Sequence, residues 1–142
     1  MFFHFLGVYS LLFFYFFSGQ DIFYMEHLIE EDGKVYRRFT GESISGIIYE
    51  SFNDPRVNVK LVGRVTNSFK DGHWTQWWDN GHKKTSGIYR KGIKNGFWYE
   101  WNHDGIMHFE TYYKMGQVIQ VKNCLSDICD SSLVQKDIQI KF

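Results

Sequence analysis

Proline occurs once, at Pro55, and cysteine only twice, at Cys124 and Cys129. Neither sign of charge dominates, since 16 lysines and arginines balance 16 aspartates and glutamates. That balance draws the chain as a whole neither to nucleic acid nor to an acidic surface, and no nucleic-acid partner is expected. Two sulfurs alone specify no zinc site, which would need two further ligands. In an exported protein Cys124 and Cys129 instead form one local disulfide; in a cytosolic one they stay thiols. No set of residues specifies a reaction, so neither catalysis nor a cofactor is expected.

Turns and aromatics fill the space these absences leave. The 13 glycines mark a turn-rich chain, not a disordered one. Aromatic residues make up 20% of the 142 positions, more than a core of this size needs. About half of the phenylalanines lie in the first 19 residues, so the excess in the folded part is mainly Trp and Tyr. The length suits one domain able to bury a core.

Residues 1–19 contain no lysine, arginine or acidic side chain. Their apolar run is shorter than the roughly 20 residues of a membrane-spanning helix. It ends in Ser18-Gly19-Gln20, small residues before a polar start, as at a signal-peptide cleavage site. Export with cleavage is the first expectation, retention as an anchor the second. A start at Met25, which makes the product cytosolic, is the third.

Residues 71–92 and 95–116 carry two copies of one unit, DGHWTQWWDNGHKKTSGIYRKG and NGFWYEWNHDGIMHFETYYKMG. At an offset of 24, Gly72 falls on Gly96, Trp74 on Trp98, Trp77 on Trp101, Gly81 on Gly105, Tyr89 on Tyr113 and Gly92 on Gly116. Such a period marks a repeat array. Each copy reads as a β-hairpin. Its first arm is rich in residues suited to a pleated, half-buried surface, and Asn80-Gly81 or Asp104-Gly105 follows. Those dipeptides tolerate positive φ at both central positions, so two-residue type I′ turns are expected there. That register pairs Trp77 with Lys84, Trp74 with Gly87, Trp98 with Thr111, Trp101 with His108 and His103 with Ile106. The Trp74 indole is then expected to lie over Gly87, which has no side chain to shield its strand. Arg90-Lys91-Gly92 and Lys114-Met115-Gly116 are polar connectors to the next hairpin. Isolated hairpins are marginal in water, so the units should stack into one meander. The expected fold is all-β, an elongated single sheet of antiparallel hairpins. Its repeat domain spans residues 20–117, with clear repeats at 72–95 and 96–119 and a diverged one at 46–71.

Upstream, Asp32-Gly33 offers a turn and residues 34–39 alternate as a strand does. The longer spacing between Gly46 and Gly63 requires a wider turn at residues 52–56, with Pro55 outside the ladder. Residues 118–142 form a strand cap, since 118–121 and 137–140 both alternate.

Four histidines (His73, His82, His103, His108) suggest a metal, but the expected register forces no pair together, and scattered surface histidines are the stronger reading. Ser43, Ser45 and Ser86 lack a nucleophile's sharp strand-to-helix turn, and Glu100 with Glu110 lacks an enclosed pocket. The aromatic and basic residues carry more. Most of the repeated Trp and Tyr are expected to fill the interior. Trp77 and Trp78 are adjacent and point to opposite faces, so one of them leaves the core. Trp77, Trp78, Tyr99, Trp101, Lys83 and Lys84 are therefore the candidate binding residues, since Trp and Tyr dominate interface hot spots.

G-x-W-x-x-W, then N-G or D-G, then an aromatic followed by K/R-x-G, resembles the MORN-variant repeat. The array is similar to bacterial proteins often catalogued as YwqK-type antitoxins, from about His27 to Gln117. The resemblance implies stacked hairpins and binding to a protein or membrane surface more than catalysis, and it carries over no catalytic residue. The matching positions are Trp74, Trp77, Gly81, Tyr89 and Gly92 with their 24-residue partners. An antitoxin acts in the cytosol and the leader points outward, so the two lead to different compartments. An exported or envelope-associated binder of a protein or surface comes first, a cytosolic antitoxin-like protein second, and a phospholipid-surface binder third.

Overall fold

The computed structural model describes residues 20–53, 58–125 and 128–130. The wide turn around Pro55, the leader and the strand expected at 137–140 lie outside them. Eleven strands form one open, elongated sheet, and the only helix among the described residues is a single 3-10 turn, Met25–His27. They are β1 (Ile22–Tyr24), β2 (Leu28–Glu31), β3 (Lys34–Arg37), β4 (Gly46–Ser51), β5 (Val59–Thr66), β6 (Phe69–Trp77), β7 (Lys83–Arg90), β8 (Ile93–Trp101), β9 (Met107–Lys114), β10 (Gln117–Leu125) and β11 (Ile128–Asp130). From β4 to β11 the strands meander in chain order, each antiparallel to the last. β1 adds to β4 in parallel, which makes the sheet mixed, and the β2–β3 hairpin joins through a single Lys34–Phe69 pairing.

The hairpins expected from the repeat are present, with their turn types exchanged. Lys91 and Gly92 have φ 50° and 80°, and Met115 and Gly116 have 51° and 83°. The flanking pairs Arg90–Ile93 and Lys114–Gln117 enclose just those two residues. The two-residue mirror turns thus sit at the connectors, where the backbone twist matches that of the strands. Asn80-Gly81 and Asp104-Gly105 reverse the chain in three-residue loops. The Gly81 N–H donates to Trp78 O at 2.9 Å, the Trp78 N–H to His82 O at 2.8 Å, and only Gly81 has positive φ. Asn102, Gly105 and Ile106 repeat the pattern. The extra loop residue moves the register by one. Trp77 pairs with Lys83 instead of Lys84, and Trp101 with Met107 instead of His108, while His103 lies in the loop. Trp74–Gly87 and Trp98–Thr111 pair as expected.

One face of the sheet is closed by its own tryptophans. Trp74 and Trp98 are each 2% exposed and belong to a core with Phe23, Leu28, Val35, Ile44, Ile48, Val62 and Val65. Trp74 does not cover Gly87, its partner in the ladder. A methyl added to Gly63 would overlap the Trp74 indole, and one added to Gly87 would overlap the Trp98 indole. Each tryptophan therefore lies over the glycine of the strand before it. Tyr89 packs edge-on between them, with ring centroids 6.0 Å from Trp74 and 4.9 Å from Trp98, and Tyr113 follows 6.3 Å from Trp98. These contacts run from hairpin to hairpin, which is how units too small to fold alone stabilise one another.

Candidate functional site

Alternation along β8 sends Trp98 into the closed face and Phe97, Tyr99 and Trp101 to the other. On this open face Phe97 lies 4.9 Å from Tyr112 and Tyr99 lies 6.0 Å from Trp101, centroid to centroid. Lys83 Nζ stands 5.6 Å over the Trp101 ring. Phe97, Tyr99, Trp101 and Lys83, with Ile88, Ser86, Met107 and His73, line an open groove of about 580 Å³.

A bulge makes its floor. Ser86 pairs with Tyr99 and Ile88 with Asn95, so one residue of β7 faces three of β8, with Gly96 at φ 77° among them. The extra residues sit unpaired in the ladder, and Gly96, with open space where a Cβ would stand, leaves the floor bare. A second groove lies one hairpin earlier. Gly63 and Gly72 are the 24-residue equivalents of Gly87 and Gly96, and with Ile47, Leu61, Arg64 and His73 they line a hollow of about 320 Å³. His73 borders both grooves.

Four of the six candidate residues meet here. Tyr99, Trp101 and Lys83 line the larger groove, and Trp77 joins Lys83 and Trp101 around an adjacent hollow. The Trp77 Nε1–H donates to Leu61 O at 3.0 Å, and Lys60 Nζ lies 5.2 Å from its ring. Trp78 and Lys84 are elsewhere, packed on each other at 4.5 Å. The Trp78 Nε1–H reaches Trp101 O at 3.0 Å, and its ring lies 5.8 Å from that of His103. The adjacent tryptophans do point to opposite sides, as expected.

Of the repeat residues, Trp74, Tyr89, Trp98 and Tyr113 line the closed face; Gly72 takes positive φ within β6, Gly96 sits at a bulge, Gly81 and Gly105 in three-residue loops, Gly92 and Gly116 in two-residue turns. Cys124 and Cys129 form a disulfide across the β10–β11 pair.

Sequence reading missed Lys70 and Lys94, although the offset of 24 relates them too. Lys70 Nζ lies 5.1 Å from both Trp74 and Tyr89 and 2.6 Å from Glu30 Oε2. Lys94 Nζ lies 4.3 Å from Trp98 and 5.0 Å from Tyr113. Lysine is usually a solvated residue, so its recurrence carries no signal in sequence; here its stem covers indole and its charge meets the ring faces. Burial holds the Lys94 ammonium below its usual range, partly offset by Glu100. The same burial pushes the Tyr89 hydroxyl up to about 12 and raises that of Tyr113.

The histidines work at the loop tips. His103 Nε2 lies 2.7 Å from Asp79 Oδ1, Asn80 Nδ2 donates to His103 O at 2.7 Å, and His82 Nδ1 is 3.0 Å from the same oxygen. The bond to His103 keeps the Asp79 carboxyl below its ordinary value. These bonds lash neighbouring loops together. Glu100 pairs with Phe109 and Glu110 with Tyr99, so the two carboxylates point to opposite faces, and Glu110 is bound to Lys122 at 2.6 Å.

No family model, curated protein or solved structure matches the chain.

Proposed function

We propose that this is a non-catalytic repeat module of the MORN-variant type, exported or envelope-associated, that binds a protein through the open face of its sheet. The observation that carries the reading is the row Phe97–Tyr99–Trp101 on the face the core does not use. Phe97 is 48% exposed although it sits mid-strand beside Trp98. A solvent-facing strand position is ordinarily polar, so three aromatics in alternate positions leave a patch that association would bury. Trp and Tyr supply large contact area at small cost in side-chain entropy. The groove wall adds Lys83 and His73 and no carboxylate, which suits recognition better than acid–base chemistry.

Capture by the mature chain tests this. A photoreactive residue in place of Phe97 should cross-link a protein in the native compartment, and adding Trp101→Ala should abolish the adduct while the far-ultraviolet spectrum stays unchanged. Adducts that persist in the double variant, or that contain only lipid, would contradict it. Amino-terminal sequencing tests the compartment. A mature chain starting near Gln20 supports export, whereas one starting at Met25 favours a cytosolic, antitoxin-like protein.

A further inference from the structure

We infer that the occupant of the open face is a polyproline II segment of the partner, lying across the strands, with an apolar side chain in one groove and a carboxylate one helical turn away in the other. This rests on the protein-binding reading above and adds the conformation and charge of what is bound.

The argument begins with spacing. The two grooves recur at the same repeat positions, beside the positive-φ glycines Gly72 in β6 and Gly96 in β8. β6 and β8 are separated by one strand, so the grooves lie two interstrand spacings apart, about 9.6 Å. A polyproline II helix rises about 3.1 Å per residue with three residues per turn, and so presents equivalent side chains about every 9.3 Å. The repeat of the protein and that of such a peptide therefore nearly coincide. An extended strand has its same-side residues about 6.7 Å apart and does not match.

The linings differ in a way that sets the peptide's polarity. Phe97, Tyr99, Trp101, Ile88 and Met107 make the later groove apolar and aromatic, as proline-rich ligands require. In the earlier groove, Phe97 and Ile88 are replaced at the same repeat positions by His73 and Arg64. Arg64 is exposed and makes no ion pair among the described residues; its guanidinium donates to Gln20 Oε1 at 3.3 Å. The one carboxylate of that lining, Asp71, faces the Lys91 backbone N–H at 3.4 Å. An anionic side chain thus meets Arg64 and His73, while a neutral one meets the aromatics. A phospholipid surface fits less well, since these are recessed grooves with few cations.

Labelled synthetic peptides and fluorescence anisotropy decide the matter. The probe is Ala-Pro-Leu-Pro-Pro-Glu-Pro-Ala, capped at both ends, with Leu and Glu three residues apart. One control replaces Glu by Lys, and a second places Leu and Glu two apart in the same composition. The probe should bind at least about tenfold more tightly than either control, more weakly as salt rises. Phe97→Ser should abolish binding of all three. Arg64→Glu should reverse the preference between the Glu and Lys peptides. Both side chains are exposed, so neither change threatens the fold. Equal affinity for the three peptides, no binding at millimolar concentration, or an Arg64→Glu variant with unchanged preference would overturn the inference. If the peptides fail while the Phe97 photo-adduct still holds a protein, this inference alone falls. If both fail, protein binding falls with it.

Discussion

Glycine and tryptophan make the decisive contact of this molecule, and they make it between strands that the repeat alone does not couple. Gly87 has an ordinary backbone conformation, yet a methyl there would overlap the Trp98 indole, whereas Gly72 at φ 78° has open space around its absent Cβ. Gly87→Ala should therefore cost about 1–3 kcal/mol through overpacking, and Gly72→Ala about 1–2 kcal/mol through backbone strain. The two separate when Trp98→Leu is added in a denaturant-melt cycle. The Gly87→Ala penalty should shrink and that of Gly72→Ala should not. Trp98→Ala alone should lose about 3–5 kcal/mol. Trp78→Ala, a half-buried ring with one hydrogen bond, should lose about 1 kcal/mol. Equal losses would contradict the placing of Trp98 in the core and of Trp78 outside it. Tyr89 gives a pH signature. Its folded pKa of about 12 lies above the ordinary 10.0, so the native state keeps a proton that the unfolded chain gives up. This contribution is fully present below pH 10.0 and is lost as the pH rises through about 12. Phenolate absorbance should show Tyr89→Phe removing the last group to titrate, together with part of the alkaline loss of stability. A variant that titrates like the parent would refute the burial.

At the scale of the element, the exchange of turn types shows what a sequence can and cannot announce. Asn-Gly is the strongest short signal for a two-residue turn, and it did mark a reversal, but the wrong geometry. Asn80 has a better use for its side chain: Oδ1 accepts the His82 N–H at 3.0 Å while Nδ2 reaches His103 on the next hairpin. A partner supplied by a neighbouring repeat is invisible to dipeptide statistics. Asn67-Ser68 hides the opposite way, with φ 48° and 67° and no glycine. Ser68 is 2% exposed, and its hydroxyl lies 2.9 Å from Ser43 Oγ and accepts the Ile44 N–H at 3.3 Å, which offsets the strain. At Lys91 the backbone N–H donates to Asp71 Oδ1 at 3.4 Å, but among the described residues the side chain makes no bond that offsets positive φ, so Lys91→Asn should stabilise the protein by about 0.5–1 kcal/mol. An unchanged or lowered melting midpoint would argue against the mirror turn there.

On the scale of the whole molecule, the offset of 24 revealed the sheet, because period and hairpin length follow from local spacing. It also picked out Tyr99, Trp101, Lys83 and Trp77, which the structure brings together, but equally Trp78 and Lys84, which pack elsewhere. It did not reveal the grooves. The larger lies over the bulge at Gly96, and a bulge depends on how two strands slip past each other. Nor did it reveal that β1 joins in parallel or that β2–β3 lies off the main path, because those contacts join segments far apart in the chain. One consequence unites the three scales: each hairpin's indole shelters the hairpin before it, and the opposite face is left free for binding. Ring-current shifts of the glycine α-protons in a carbon–proton correlation spectrum test this most directly. Gly63 and Gly87 should both resonate far upfield; Trp98→Leu should return only Gly87 to its normal position, and Trp74→Leu only Gly63. Movement of Gly87 in response to Trp74→Leu, or unshifted protons at both glycines, would contradict the account.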